Sequence, residues 1–291
     1  MRAYVLHGID DLRLEETALP EIKEREVLVK VMAAGICGSD IPRIYKTGTY
    51  SYPLIPGHEF SGTVIETGLK ADKKWMGKRV GIFPLIPCGE CESCRKKQYE
   101  MCRHYSYLGS RTNGGFAEYA AVPEENLIEL PEEVSYEVAA MLEPMAVAVH
   151  AMRKSGVMQE NTVVVYGLGT IGLLLCMFLL DAGVRDIYVI GNKEFQKRMA
   201  DSLGISETHY CDCRTREVSK WLQEQTGGRG VDVFFECVGK NETIADAIGN
   251  TAPGGTVQMV GNPASDIMLK KEIYWKILRN QLTIKGSWNS S

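Results

Sequence analysis

TVVVYGLGTIGLLLCMFLLD, residues 162–181, is the stretch whose reading decides the fold. Thr162 to Tyr166 is a short run of β-branched and aromatic residues, the composition of a buried strand, and the apolar residues after Thr170 run long enough for a helix. Between them stands Gly167-Leu168-Gly169-Thr170-Ile171-Gly172, a G-x-G-x-x-G spacing at a strand-to-helix turn. Each glycine has a task in a dinucleotide site. Gly167 permits the tight turn, Gly169 lets the backbone approach a pyrophosphate, Gly172 lets helix and strand pack closely, and the helix N-terminus attracts the anion. Thr170 and Ile171 complete the loop. The spacing alone is a weak signal that a glycine turn also satisfies; its position between strand and helix makes it a cofactor reading.

The same texture continues on the C-terminal side. DIYVIG (186–191), a helical stretch over 194–203, VDVFFECVG (231–239) and GTVQMVG (255–261) alternate apolar strands with amphipathic segments. Such alternation indicates a parallel sheet covered on both faces, an α/β fold of the Rossmann, doubly wound kind. Towards the N-terminus the pattern changes to short strands broken by Gly and Pro: AYVLHG, EVLVKVMAAGI, FSGTVIETG, RVGIFPLI and FAEYAAVP. A helical stretch over 135–154 joins the two halves. The expected organisation is a mainly β domain over 1–148 and a dinucleotide-binding domain over 149–291.

An NAD reader places Asp or Glu at the end of the second strand to accept hydrogen bonds from the ribose 2′-OH. Here that strand ends in Gly191-Asn192-Lys193, without a carboxylate. A small residue, an amide and a cation, with Arg198 a turn further on, suit a 2′-phosphate. The expectation is NADP in preference to NAD, the alternative being that Lys193 is a solvated helix-start residue and NAD is used.

The 291 residues are 45% hydrophobic and 24% charged with a formal net charge of −4, which argues against a nucleic-acid surface. The one basic run, Arg95-Lys96-Lys97, reads as solvated. The most apolar run, LLLCMFLL (173–180), is far shorter than the roughly 20 residues of a bilayer span. With no leading apolar signal segment in this sequence, a cytoplasmic location is expected.

Two sets of residues point to metal. Cys88, Cys91, Cys94 and Cys102, in CGECESCRKKQYEMC, lie in one loop over 86–103 at a spacing that lets four thiolates meet one ion. That reads as a closed, structural zinc site; the alternative is a pair of disulfides, which reduced intracellular thiols disfavour. Cys37 in AAGICGSD and His58-Glu59 in PGHEFSG each lie where a strand meets a glycine-containing turn, and Glu143 is a carboxylate amid apolar residues. Together these suit a second, reactive Zn²⁺.

CGSD, GHE, the four-cysteine lobe, GGFAEY (114–119), Glu143-Pro144 and GLGTIG resemble the zinc-dependent medium-chain dehydrogenases over the whole chain. The resemblance implies a GroES-like β-barrel catalytic domain before the Rossmann domain. It implies that Cys37, His58 and Glu143 bind a catalytic zinc with Glu59 as an exchangeable or water-mediated ligand, and that Ser39 passes the released proton outward. Zinc then acidifies the substrate alcohol and hydride passes to the nicotinamide. SDIPRIYK, PLIPCGECESC, YLGSRTNGGFAEY and KILRNQLTIKGSW draw the resemblance toward the polyol-phosphate branch, with a galactitol 1-phosphate-like substrate. The alternative is a sorbitol- or L-iditol-type polyol, although the histidine usual in sorbitol enzymes is replaced here by Ile41-Pro42-Arg43. A substrate phosphate needs cations away from the metal, for which Arg43 and Lys46 are candidates and Arg111 a weaker third. A zinc-free reductase of the same superfamily would have no use for Cys37, His58 and Glu143 together. The non-enzyme alternative is a zinc-binding module. The resemblance further implies a homodimer or homotetramer paired through LTIKGSW, and a segment beyond Ser291 that returns to complete the first domain.

Overall fold

Residues 1–289 are described in a computed structural model, whose contacts divide the chain after Glu143. The first unit is antiparallel β structure. β1 (Arg2–Gly8) and β2 (Asp11–Glu16) form a hairpin, and β3 (Glu26–Gly35), β4 (Glu59–Thr67), β5 (Arg79–Ile82), β8 (Tyr119–Pro123) and β9 (Leu127–Glu129) form a sheet in the order β8-β3-β4-β5-β9. The short β6 (Leu85–Ile86) and β7 (Ser106–Tyr107) pair with each other. Val27 and Val29, Phe60 and Val64, Val80 and Ile82, and Ala120 and Val122 sit two or four residues apart on their strands, so each pair shares a face and closes one core. RVGIFPLI, read above as one strand, is two, because Pro84 between β5 and β6 has no N–H to give a ladder. Three short helices punctuate this unit: α1 (Asp40–Pro42), α2 (Glu92–Arg95) and α3 (Tyr136–Ala140). The helical stretch expected over 135–154 is likewise two helices, α3 and α4 (Leu142–Ser155). Pro144 cannot donate to a carbonyl one turn back, so it sits in the first turn of a new helix instead of inside a continuous one.

The second unit is a six-stranded, wholly parallel sheet. Its strands are β10 (Thr162–Tyr166), β11 (Asp186–Gly191), β12 (Tyr210–Asp212), β13 (Val231–Glu236), β14 (Thr251–Met259) and β15 (Thr283–Gly286), in the order β12-β11-β10-β13-β14-β15. Counted within the unit this is the 3-2-1-4-5-6 order of a doubly wound dinucleotide fold, with its switch point between β10 and β13. Helices α5 (Thr170–Asp181), α6 (Glu194–Ser202), α7 (Val218–Thr226), α8 (Asn241–Asn250) and α9 (Lys271–Arg279) alternate with the strands. Val163, Val164 and Val165 are all fully buried, as a strand covered on both faces requires. β15 lies at one edge of the sheet, where Ile284 stays exposed. No described helix is long and apolar enough to cross a membrane.

Candidate metal and cofactor sites

The ligand atoms of Cys88, Cys91, Cys94 and Cys102 lie within 4.8 Å of one another. The sulfurs are 3.5 Å apart for Cys91 and Cys94, and 3.9 Å apart for both Cys88–Cys94 and Cys91–Cys102. Thiolates at about 2.3 Å around a tetrahedral zinc stand about 3.8 Å apart, whereas a disulfide needs about 2.05 Å. The lobe therefore fits zinc, and all nine cysteines are free thiols. The backbone N–H of Cys94 lowers the pKa of Cys91, while burial and the neighbouring sulfurs raise that of Cys94. Crowded thiols resist a common ionised state until a cation joins them.

The second cluster follows from the register of one hairpin. Gly35, the last residue of β3, pairs with Glu59, the first of β4. Cys37, two residues beyond one strand, and His58, one before the other, are thereby delivered to the same end of the sheet. Ligand atoms of Cys37, His58 and Glu59 lie within 4.8 Å of one another. Ser39 donates its hydroxyl to Cys37 Sγ at 3.3 Å. Fully buried Asp40 accepts the Cys37 N–H at 3.0 Å and the Arg43 guanidinium at 2.5 Å, and its Oδ1 lies 3.5 Å from His58 Nδ1. At that separation Asp40 acts on His58 Nδ1, a buried nitrogen with no hydrogen bond, through its charge.

Glu143 stands slightly apart, on the first turn of α4. Its Oε1 accepts the hydroxyl of buried Tyr107 at 3.0 Å, and the Tyr107 ring meets His58 edge-on with centroids 5.7 Å apart. Burial pushes the His58 imidazole down, but Asp40 and Cys37 outweigh it and lift the pKa to about 10. Burial raises Glu59 and Glu143, and the charge of Glu143 raises Glu59 further. Tyr107 is held protonated, first by burial and then by Glu143. A half-buried thiol beside a buried imidazole and buried carboxylates is what a zinc site supplies, and the cation would relieve their crowding.

In the second unit, Gly167 has φ +100° and Gly172 sits so close to it that a Cβ there would lie 2.0 Å from the Gly167 carbonyl oxygen. Gly169, the N-cap of α5, faces open space, and no side chain caps the helix. The turn thus leaves amides of Thr170 and Ile171 at an uncovered twelve-residue helix N-terminus, fit for a pyrophosphate. At the end of β11 the Asn192 N–H donates to Gln196 Oε1 at 2.9 Å. A Cβ on Gly191 would stand 2.9 Å from that oxygen and from the Tyr210 hydroxyl, which explains the small residue there. Lys193 and Arg198 are exposed and form no ion pair among the described residues, whereas nearby Arg214 is occupied by Asp212 at 2.5 Å and Glu194 at 3.5 Å.

The structure brings together Cys37, Ser39, His58 and Glu59, the four lobe cysteines, and the fingerprint glycines. Glu143 is adjacent but engaged by Tyr107. Arg43, read as a phosphate ligand, has its guanidinium on Asp40 instead; Lys46 is exposed in the following turn, Arg43–Thr47. Sequence reading passed over Asp40 and Tyr107. Asp40 had a signal, the acid three residues after the cysteine in CGSD, but Tyr107 reaches Glu143 only through the fold.

The alcohol dehydrogenase GroES-like domain family matches residues 23–132, and the zinc-binding dehydrogenase family matches residues 170–291. Galactitol 1-phosphate 5-dehydrogenase of Escherichia coli K12 is 35% identical over 279 residues, 95% of this chain and 80% of that protein. Sorbitol dehydrogenase of Bacillus subtilis is 30% identical over 91% of this chain and 76% of its own length. The crystal structure of E. coli galactitol-1-phosphate dehydrogenase superposes with a TM-score of 0.93 at 33% identity, covering 100% of this chain and 84% of that one. Two further structures carry nicotinamide cofactors. One, from Sinorhizobium meliloti and described as a zinc-binding dehydrogenase, is bound to NADP (TM-score 0.91, 29% identity, 99% of this chain and 84% of that one). The other, an E. coli CFT073 alcohol dehydrogenase, is complexed with NADH (TM-score 0.91, 26% identity, 100% and 84%).

Proposed function

Because this chain belongs to the zinc-dependent alcohol and polyol dehydrogenase family, with a GroES-like domain followed by a Rossmann sheet, we propose that it oxidises a secondary alcohol of a polyol phosphate to the ketose phosphate. The substrate is of the galactitol 1-phosphate kind and NADP is the preferred cofactor. The observation that carries the chemistry is the convergence of Cys37, His58 and Glu59 at the buried end of the β3–β4 hairpin. Zinc bound there supplies the Lewis acidity that lets a secondary alcohol lose its proton, and bound nicotinamide supplies the hydride acceptor.

The chain's own residues do the rest. Cys37, His58 and Glu59 would hold the ion, and Glu143, restrained by Tyr107, is the further carboxylate beside it. Asp40 holds the loop through the Cys37 N–H and steadies the His58 ring. Ser39, against the Cys37 sulfur, takes the substrate proton outward. Gly167, Gly169, Thr170, Ile171 and Gly172 bind the pyrophosphate, and Lys193 with Arg198 reads the 2′-phosphate beside Gly191 and Asn192. The lobe zinc on Cys88, Cys91, Cys94 and Cys102 is structural, making two ions per chain. Pairing through β15 makes the protein a homodimer or homotetramer.

The test is a panel of galactitol 1-phosphate, galactitol, sorbitol, L-iditol and threonine with NADP and with NAD. The highest kcat/KM with the phosphorylated polyol and NADP supports the reading; an equal value for galactitol or sorbitol replaces it with an unphosphorylated polyol. That second reading has one observation in its favour: Arg43, the cation nearest Cys37 in sequence, is already neutralised by Asp40.

A further inference from the structure

Arg111 lies against two tyrosine rings in the first unit. Its guanidinium carbon sits 4.0 Å from the Tyr50 ring centroid and 4.6 Å from that of Tyr105, so both rings are within cation–π range. Among the described residues no carboxylate pairs with its guanidinium and no protein acceptor takes the guanidinium N–H donors, although the residue is partly buried. Stacking engages the faces of a guanidinium and leaves the in-plane donors free, the geometry that suits bidentate recognition of phosphate. The Tyr50 side of this clamp is tied to the Arg111 segment, since Thr49, beside Tyr50, donates its hydroxyl to the Ser110 carbonyl at 2.7 Å.

The clamp is also connected to the metal cluster. Tyr105 meets Tyr107 edge-on with centroids 6.3 Å apart, and Tyr107 in turn meets His58 at 5.7 Å. Arg111 is thus two tyrosine rings removed from a proposed zinc ligand, a placement that suits a terminal phosphate several carbons away from the reacting carbinol. Arg43 offers nothing comparable, because Asp40 already meets its charge at 2.5 Å.

We infer that Arg111, clamped by Tyr50 and Tyr105, is the specificity-determining residue that reads the substrate's phosphate. The inference rests on the polyol-phosphate reading above. The experiment compares kcat/KM for galactitol 1-phosphate with that for galactitol, using zinc-loaded wild type, Arg111→Gln and Arg111→Lys. Removing a charge-assisted, two-pronged contact lowers the phosphorylated-to-unphosphorylated ratio about tenfold to a hundredfold in Arg111→Gln. Arg111→Lys, which keeps the charge but not the fork, gives a smaller loss carried by KM. Inorganic phosphate competes with galactitol 1-phosphate in wild type and loses potency in Arg111→Gln. Zinc content and Tm are measured alongside; where Arg111→Gln loses either, Arg111→Lys carries the comparison. A wild type that prefers the phosphorylated substrate while the variants keep the same ratio overturns the inference alone. A wild type indifferent to the phosphate overturns the polyol-phosphate reading and the inference with it.

Discussion

Replacing Asp40 by Asn tests whether the residue behind the Cys37–His58–Glu59 cluster tunes a metal site. Asp40 is 0% exposed and makes three approaches: Cys37 N–H at 3.0 Å, Arg43 at 2.5 Å and His58 Nδ1 at 3.5 Å. Asn preserves the size and one oxygen for the Cys37 amide, so the loop keeps its backbone restraint. It removes the negative charge that orients His58 and neutralises Arg43. Loss of an outer partner of a metal-ligating histidine weakens metal binding about tenfold to a hundredfold, which is about 1.4 to 2.7 kcal/mol. The assay is chelator competition on the zinc-loaded protein, with the two zinc ions resolved as two steps. The step assigned to the Cys37 site moves to lower chelator concentration by that factor, while the lobe step stays in place as an internal reference. Coincident curves for both steps in wild type and Asp40→Asn would refute the reasoning, because Asp40 would then be a buried ion-pair partner of Arg43 and nothing more.

Cys37→Ser abolishes hydride transfer and leaves one zinc per chain, since the lobe is a separate element; substantial turnover in the loaded variant contradicts the site. Cys91→Ser lowers Tm by several degrees, because a structural metal contributes folding energy and about 2 kcal/mol already shifts Tm by roughly 3 °C in a chain of this size; calorimetry showing an unchanged Tm with both zincs retained speaks against it. Lys193→Ala lowers kcat/KM with NADP about tenfold and hardly alters NAD, in keeping with loss of one exposed charge-assisted contact; equal effects on both cofactors return Lys193 to a solvated surface residue. Sedimentation at rising concentration shows a dimer or tetramer, and a monomer throughout removes the pairing through β15.

What could be read from sequence was what is local in the chain. Gly167, Gly169 and Gly172 act within one turn, so the spacing that betrays them is also the structure that uses them. The four cysteines are similar, since a loop from Cys88 to Cys102 is short enough for spacing to determine convergence. Cys37 and His58 are farther apart, and only the pairing of Gly35 with Glu59 explains why they meet. Less legible were side-chain partners that the fold sets: nothing in SDIPRIYK says that Asp40 turns inward to pair with Arg43, one turn of chain away. Tyr107 carries no motif that predicts a hydrogen bond to Glu143, 36 residues on. Pro84 and Pro144 each interrupt an apolar run that periodicity alone makes continuous.

The most direct test of the central claim is the initial rate of nicotinamide reduction by galactitol 1-phosphate, measured together with zinc per chain in wild type and Cys37→Ser. The account predicts turnover with two zincs in wild type, and none with one zinc in a folded Cys37→Ser protein. Equal rates in the two proteins, or a wild type that holds only the lobe zinc and still turns over, would contradict it.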